Sequence, residues 1–466
     1  MAIVWLIHTL QEVYRAFASW RAIARGTVAV CGLLVIASGC GRGHKAPAPR
    51  GDITQGGSLS YALERVAALQ DGFPVTPQAL QAPLPQPEQN AAPLYTRLAS
   101  LVESRSIAPE IARLSSRTIP SEQQFERARL ALTRCADLLS LLRQAAERPK
   151  CVFVADWSNP NSVDVIKPST VRSFARLLRA HSIVLAHTGR PIDAVAWQTL
   201  GFRIARHIAE QNWGFTDAYF VEGSALFGLD QILLIAGNAP AVADAVRAAI
   251  EKQWMPRSLA QSLKKRAGMN AVILENLRKT GPSSIKPLMR TGSASPEPMD
   301  AHTWNAFVDE NASLLLRHSR TIIAVADKPY MQSYPVIRAA DASVDSDPNP
   351  QHLLLVLMDE NYGYMAEQRA TSVARANVTR AAAAVLAWKG RHRVLPATLA
   401  QAISPVPTDP FSGAPLGYLR RRSSFVVYSA GKTGTYTGGS RDQKPATRES
   451  VFRYPLPPAL KGPIRD

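Results

Sequence analysis

Acidic residues are scarce in this 466-residue chain, 36 against 54 lysines and arginines, which leaves a formal charge of +18. Cysteine is scarcer still: there are four, and two of them fall within the first forty residues. The two that remain cannot build a cysteine-based metal site, which takes three or four thiolates. The sequence contains no His-Glu-x-x-His and no Gly-x-Ser-x-Gly, which removes the metalloprotease helix and the nucleophile elbow. Aromatic residues make up 7% and do not alternate with the basic ones, as a stacking platform for single strands requires. The basic residues cluster only briefly, at Lys264-Lys265-Arg266 and Arg420-Arg421-Arg422, so nucleic acid is not an expected partner. Gly431-Lys432-Thr433 is not a phosphate-binding loop, because Val426 stands where the first glycine belongs. No cofactor is expected.

Charge is also absent from Gly26 to Gly41, and Val28–Ala37 is almost wholly apolar. Arg15, Arg21 and Arg25 precede this run, with Glu12 as the one acid. A basic region, a short apolar run and then small residues are the parts of a secretory signal. The run is shorter than the roughly 20 residues a membrane span needs. It ends in Val35-Ile36-Ala37-Ser38-Gly39-Cys40, which resembles the lipobox of bacterial lipoproteins. That resemblance implies removal of residues 1–39 and transfer of diacylglycerol to the Cys40 thiol, with fatty acyl chains such as palmitate completing the anchor. Ala37 departs from the usual leucine. Gly41 follows the cysteine where an aspartate would retain the protein, so the resemblance implies an outer-membrane protein facing the periplasm. Membrane lipid held through Cys40 is therefore the first expected partner.

Without residues 1–39 the charge is +16. A scattered basic surface suits anionic lipid, lipopolysaccharide or a cell-wall polymer. In an oxidising compartment the remaining pair, Cys135 and Cys151, is expected to form a disulfide; the alternative is two buried thiols.

Residues 40–93 read as a lipidated tether followed by a proline-rich lead-in. Pro74, Pro77, Pro83, Pro85, Pro87 and Pro93 cannot occupy helix interiors. Residues 94–350 read as a helical body. Ser121 and Gln124 form a capping-box signal, after which Phe125, Ala128, Leu132, Cys135, Leu139 and Leu142 recur at helical steps up to Pro149. Further helices are expected from Ser169 to His187, then through Ala194, Trp197, Phe202 and Ile208, and from Gly214 to Ala236. Others are expected over 241–252, 257–279, 300–327 and 351–390. Gly189 and Ala194 resemble the turn of a tetratricopeptide-like hairpin, without that repeat's other positions. The fold expected is mainly α: packed, solenoid-like helical hairpins with a small C-terminal α+β hairpin module.

That module is expected within 351–440, followed by a tail over 441–466. Leu416–Leu419 and Phe425–Ser429 read as paired strands. A long helix, Leu395-Pro396-x-x-Leu399, Asp409-Pro410-Phe411-x-Gly413, Tyr428-Ser429-x-Gly431 and the pair Gly438-Gly439 resemble the C-terminal module of type II secretion major pseudopilins. Uncharacterised envelope proteins that join such a module to a helical body look similar. Pseudopilins carry a prepilin cleavage site where this chain has the lipobox-like segment. The loop from Gly431 to Thr437 has no acid, whereas calcium needs oxygen ligands, preferably carboxylates.

Lys432-Thr433-Gly434 and Ser262-x-x-Lys265 look like the Lys-Thr-Gly and Ser-x-x-Lys of penicillin-binding proteins, whose serine is a nucleophile. No Ser-x-Asn lies between them. His181 and His187 are spaced poorly for one helix face, and no metal is expected there. Asp156, Trp157 and Asp164 stand in a polar loop that could line a cleft. No catalytic residue is assigned. The function expected is a non-catalytic, lipid-anchored scaffold or adaptor for other envelope proteins. The alternatives are a cell-wall enzyme of serine-nucleophile type and a secretion-system accessory.

Overall fold

A computed structural model describes residues 56–105, 109–114, 121–157, 166–211, 214–288, 299–347, 349–358, 361–436 and 449–455. The signal segment, Cys40, Asp164 and Gly438-Gly439 lie outside the described residues. The protein is mainly helical, with a small antiparallel sheet near the C-terminus. Its longer helices are α1 (Gly56–Gln70), α2 (Ala92–Arg105), α3 (Glu122–Thr133), α4 (Ala136–Glu147), α5 (Pro168–His187) and α6 (Pro191–Ala209). They continue as α7 (Phe215–Ala236), α8 (Pro240–Gln253), α9 (Leu259–Thr280), α10 (Ala301–Ile323), α11 (Tyr330–Asp345) and α12 (Tyr362–His392).

Local chemistry sets these boundaries. The Ser121 hydroxyl accepts from the Gln124 N–H while the Gln124 side chain accepts from the Ser121 N–H, closing the expected capping box. Asp300 caps α10 by accepting from Thr303 at 2.8 Å. Prolines open α5, α6 and α8, where a missing N–H costs nothing. Gly189, at φ +81°, makes the turn from α5 to α6, and Ala194 behind it is fully buried.

Consecutive helices pack as hairpins: α5 on α6, α6 on α7, and α9 on α10. Longer crossings tie the hairpins together. α12 packs on α7, α8 and α11, and α1 packs on α10. α7 is long and apolar enough to cross a membrane, but most of it is buried inside the protein. Glycines let it sit close to α6: a Cβ at Gly201 would lie 2.7 Å from that of Ala225, and one at Gly228 2.4 Å from the Gln198 side chain. Apolar side chains form three large clusters: one from α2 to α7, one joining α5–α8, α12 and the sheet, and one around α1 and α9–α12.

The sheet consists of β1 (Gly417–Arg420), β2 (Phe425–Ser429) and β3 (Ser450–Tyr454), in that order, all antiparallel. The first two are the expected hairpin. The third lies within the segment expected to be a tail. Phe425, Val427 and Phe452 point at α12 and α8 as part of the second cluster.

Three expectations are corrected. Residues 56–70, placed in the tether and lead-in, form α1. The helix expected from Ser121 to Pro149 breaks at Cys135, whose backbone leaves the helical region at φ −108°, ψ 13°. The expected Cys135–Cys151 disulfide is not formed, and both thiols are free. α4 lies between them. From its N-cap at Cys135 to its C-cap at Arg148 a helix rises roughly 20 Å, and the three residues to Cys151 can recover at most ~10 Å. A bridge needs Cα atoms within ~7 Å.

Candidate functional site

The residues of the serine-nucleophile alternative are not brought together. The Ser262 hydroxyl donates to the Ser258 carbonyl in its own helix. Lys265 Nζ donates to the Glu210 carbonyl at 2.9 Å, and burial lowers its pKa. Lys432 pairs instead with Glu367 at 3.1 Å, where the Tyr334 hydroxyl also donates at 2.6 Å. Neither amine bonds to Ser262. Lys432 therefore fastens the loop after β2 onto α12.

Trp157 is buried against Leu80, Met269 and Val272 and is a core residue. Asp156 beside it is exposed. His181 sits edge-on to Trp197, at 4.5 Å between ring centres, and burial lowers its pKa to about 4. His187 stacks on Phe125 and meets Glu122 at 3.0 Å. No three histidine, cysteine or carboxylate side chains among the described residues gather as a metal site.

His187 and Glu122 line one concavity of about 400 Å³ with Phe125 and Arg129; a second is more basic. α5, α7 and α12 enclose a cleft of about 360 Å³. Arg179 enters from α5, Phe220, Gly223 and Phe227 from α7, and Thr371 and Arg375 from α12. The guanidinium groups of Arg179 and Arg375 both lie over the Phe227 ring, while Arg172 lies over Phe220 at 5.6 Å. Burial, then repulsion from Arg375 and Arg176, lowers the Arg179 pKa to about 10. Its Nε is buried and has no hydrogen-bond acceptor among the described residues.

One acid, Asp230, lies near Arg375. Burial raises its pKa to about 6 against the attraction of Arg375 and a 2.8 Å hydrogen bond from Thr379. A second, Asp217, attracts Arg172, and a third, Glu222, is already saturated. Glu222, buried on α7, pairs with Arg257 at 2.6 Å, accepts from Trp254 Nε1 at 2.9 Å, and accepts from the Ser372 hydroxyl. Arg257 in turn covers the Tyr219 ring at 4.5 Å. Glu222 thus knits α7, the end of α8 and α12 into the cleft floor. The walls keep an excess of positive charge, backed by aromatic faces. An anionic group entering this cleft would meet the Arg179 guanidinium, a fork that suits carboxylate and phosphate oxygens.

None of these cleft residues was singled out from the sequence. A signal was present: Arg172, Arg176 and Arg179 recur at steps of four and three along a helix whose remaining residues are mostly buried. That spacing lines arginines along one stripe.

The Asp409-Pro410-Phe411-x-Gly413 segment acquires a structural meaning. Asp409 is buried, and its carboxylate accepts from the Phe411 N–H at 3.0 Å, the Ser429 hydroxyl at 2.9 Å and the Ala430 N–H at 2.9 Å. It staples the Asp-Pro-Phe turn to the end of β2, and Gly413 closes the turn at φ +74°. No family model, curated protein or solved structure matches the chain.

Proposed function

We propose that the chain is an exported, lipid-anchored envelope protein that acts by binding. Cys40 holds it to the outer membrane facing the periplasm, and the α5–α7–α12 cleft docks an anionic group of another envelope component. The observation that supports this is the pair of guanidiniums over Phe227, held in an open cleft whose main acid is consumed by Arg257, Trp254 and Ser372. A positive cleft draws an anionic partner and fixes its orientation. The serine-enzyme reading loses support, because Ser262 turns into its own helix and Lys432 is engaged by Glu367. The pseudopilin-like segment serves here as a cap on α8 and α12 rather than as a unit for pilus assembly.

Photo-crosslinking in cells tests the binding reading. A crosslinker placed at Phe220, on the cleft mouth, is expected to capture one recurrent envelope component. Capture should vanish with Arg179→Glu and Arg375→Glu together. A crosslinking pattern unaffected by those charge reversals would overturn the assignment of the cleft. Metabolic labelling with an alkyne fatty acid tests the anchor: label is expected on the wild type and not on Cys40→Ala. Globomycin should make a larger precursor accumulate, and an unchanged mature size would count against the anchor.

A further inference from the structure

α1 is apolar on two opposite sides. Its inner side is anchored. Tyr61 and Ala68 are buried in the cluster around Trp304 and Leu316, Ser60 hydrogen-bonds Ser313 at 2.8 Å, and Glu64 pairs with Arg317 and Arg320 at 2.9 Å each. On the outer side stand Leu59, Leu63, Val66 and Leu69, exposed by 65%, 62%, 53% and 49%. At 3.6 residues per turn these four and Ala62 share an arc of about 120°. No charged residue falls within it. Single exposed leucines need no explanation, but a contiguous stripe of them does.

We infer that this stripe is a membrane-facing surface, resting on the lipid bilayer to which Cys40 tethers the chain. The inference rests on the lipid-anchor reading above. Fifteen residues separate Cys40 from Gly56, and whatever their conformation the sixteen steps between them span at most ~55 Å. α1 is therefore the first element of the body that an anchored chain brings to the membrane. The intervening residues 41–55 contain one large apolar side chain, Ile53, and cannot themselves cover four. They carry Arg42, Lys45 and Arg50 against Asp52.

The flanks of α1 are basic as well. Arg65 lies beside the arc, about 40° beyond its edge, while Arg317 and Arg320 pair with Glu64 and Asp71 on the inner side and Lys264 reaches the Asp71 carbonyl at 2.6 Å. An apolar arc with a cation at its edge and a basic segment leading into it is the pattern of a helix lying in the headgroup region of an anionic membrane. Such a short stripe would bind weakly by itself. Tethering makes its association intramolecular, so weak contacts are sufficient. The body would then hold a fixed attitude to the membrane, with α1 underneath and α10 above it.

The test uses the full mature lipoprotein carrying Cys135→Ser. An environment-sensitive fluorophore is attached at Leu63→Cys or, as a control, at Val394→Cys, which is also an exposed position. Each protein is reconstituted in vesicles of phosphatidylethanolamine and phosphatidylglycerol at 3:1. Spin-labelled lipid should quench the probe at position 63 at least about twofold more than the probe at 394. Quenching at 63 should persist when the protein is diluted into excess lipid. Equal quenching at the two positions overturns the inference. So does a signal at 63 that disappears on dilution, which would mark a contact between copies of the chain. Mass analysis of the same sample separates the two readings. An acylated Cys40 with an aqueous position 63 defeats this inference alone, whereas an unmodified Cys40 defeats the anchor as well.

Discussion

The guanidinium carbons of Arg179 and Arg375 stand 5.2 and 5.6 Å from the centre of the same Phe227 ring. Two like charges share one aromatic platform, and each lowers the stability of the other's charged form. Replacing Arg179 should relieve that repulsion while removing the fork that an anion would meet. Arg179→Gln is expected to change stability by no more than ~1 kcal/mol. At matched ionic strength, phosphate in place of chloride should raise the melting temperature of the wild type and leave that of Arg179→Gln unmoved. An equal response in both proteins would show that the cleft does not select anions.

Glu222 should behave in the opposite way. Its carboxylate is buried, and Arg257, Trp254 and Ser372 all converge on it. Glu222→Ala leaves Arg257 without its partner and is expected to cost about 3–5 kcal/mol, the usual penalty for breaking a buried pair. Urea unfolding measures it. A loss below ~1 kcal/mol would mean that the knot does not secure the cleft floor.

Asp409→Ala removes the acceptor for two backbone N–H groups and the Ser429 hydroxyl in a buried turn. Unsatisfied buried donors cost about 1–3 kcal/mol each, so this change should destabilise the sheet strongly. Ser429→Ala, which removes one bond, should cost about 1 kcal/mol. Hydrogen exchange of the β2 and β3 amides is the direct readout, and protection as slow as wild type in Asp409→Ala would contradict the staple.

Thiol titration should find Cys135 and Cys151 both reduced. Cys135 is half-buried, and burial and Asp137 raise its pKa. Burial pushes Cys151 up much further. Native protein should therefore react slowly at Cys135, and at Cys151 only after unfolding. A 135–151 linked peptide in a digest of native protein would require α4 to unwind.

Stability should depend on pH through groups of opposite sign, of which His207 and Asp230 are one of each. His207 is buried, in hydrogen bond with the Tyr95 hydroxyl at 3.0 Å, and burial holds it down to about 4 from 6.5. Its contribution is complete above pH 6.5 and disappears as the pH falls through 4. Asp230 is raised from 3.8 to about 6, so its contribution is complete below pH 3.8 and is lost as the pH rises through 6. Unfolding free energies from pH 4 to 7.5 should fall less steeply toward acid in His207→Asn than in the wild type. The same slope in both proteins would remove His207 from the account.

Much of this architecture was legible in the sequence, and the exceptions have physical causes. α3, α5, α6 and α7 announce themselves through a capping box, opening prolines and one-sided apolar spacing. The β1–β2 hairpin does so through two short strand-forming runs that follow an Asp-Pro…Gly turn. α1 was hidden because Leu59, Leu63 and Val66 face away from Tyr61 and Ala68, so its apolar residues follow no single stripe. α11 carries Pro335 in its interior, normally a reason to reject a helix. β3 pairs across an intervening stretch that carries no hairpin spacing. The disulfide was expected from parity and compartment alone; in the structure both thiols are free, with α4 between them. The cleft depends on α5, α7 and α12 meeting, and Arg179 and Arg375 are too far apart in sequence for spacing to reveal it.

One long-range contact governs how the chain can be made. The Tyr454 hydroxyl reaches Asn238 at 2.6 Å, across 216 residues, and Lys389 lies over the Tyr454 ring at 4.6 Å. The second apolar cluster therefore closes only when β3 arrives. Contacts of such sequence separation slow folding, because a long loop must be closed before they form. The α8–α12 region must wait, part-folded and apolar, until nearly the whole chain has emerged. That ordering makes the pairing of β3, though small, the step that commits the molecule to its native state.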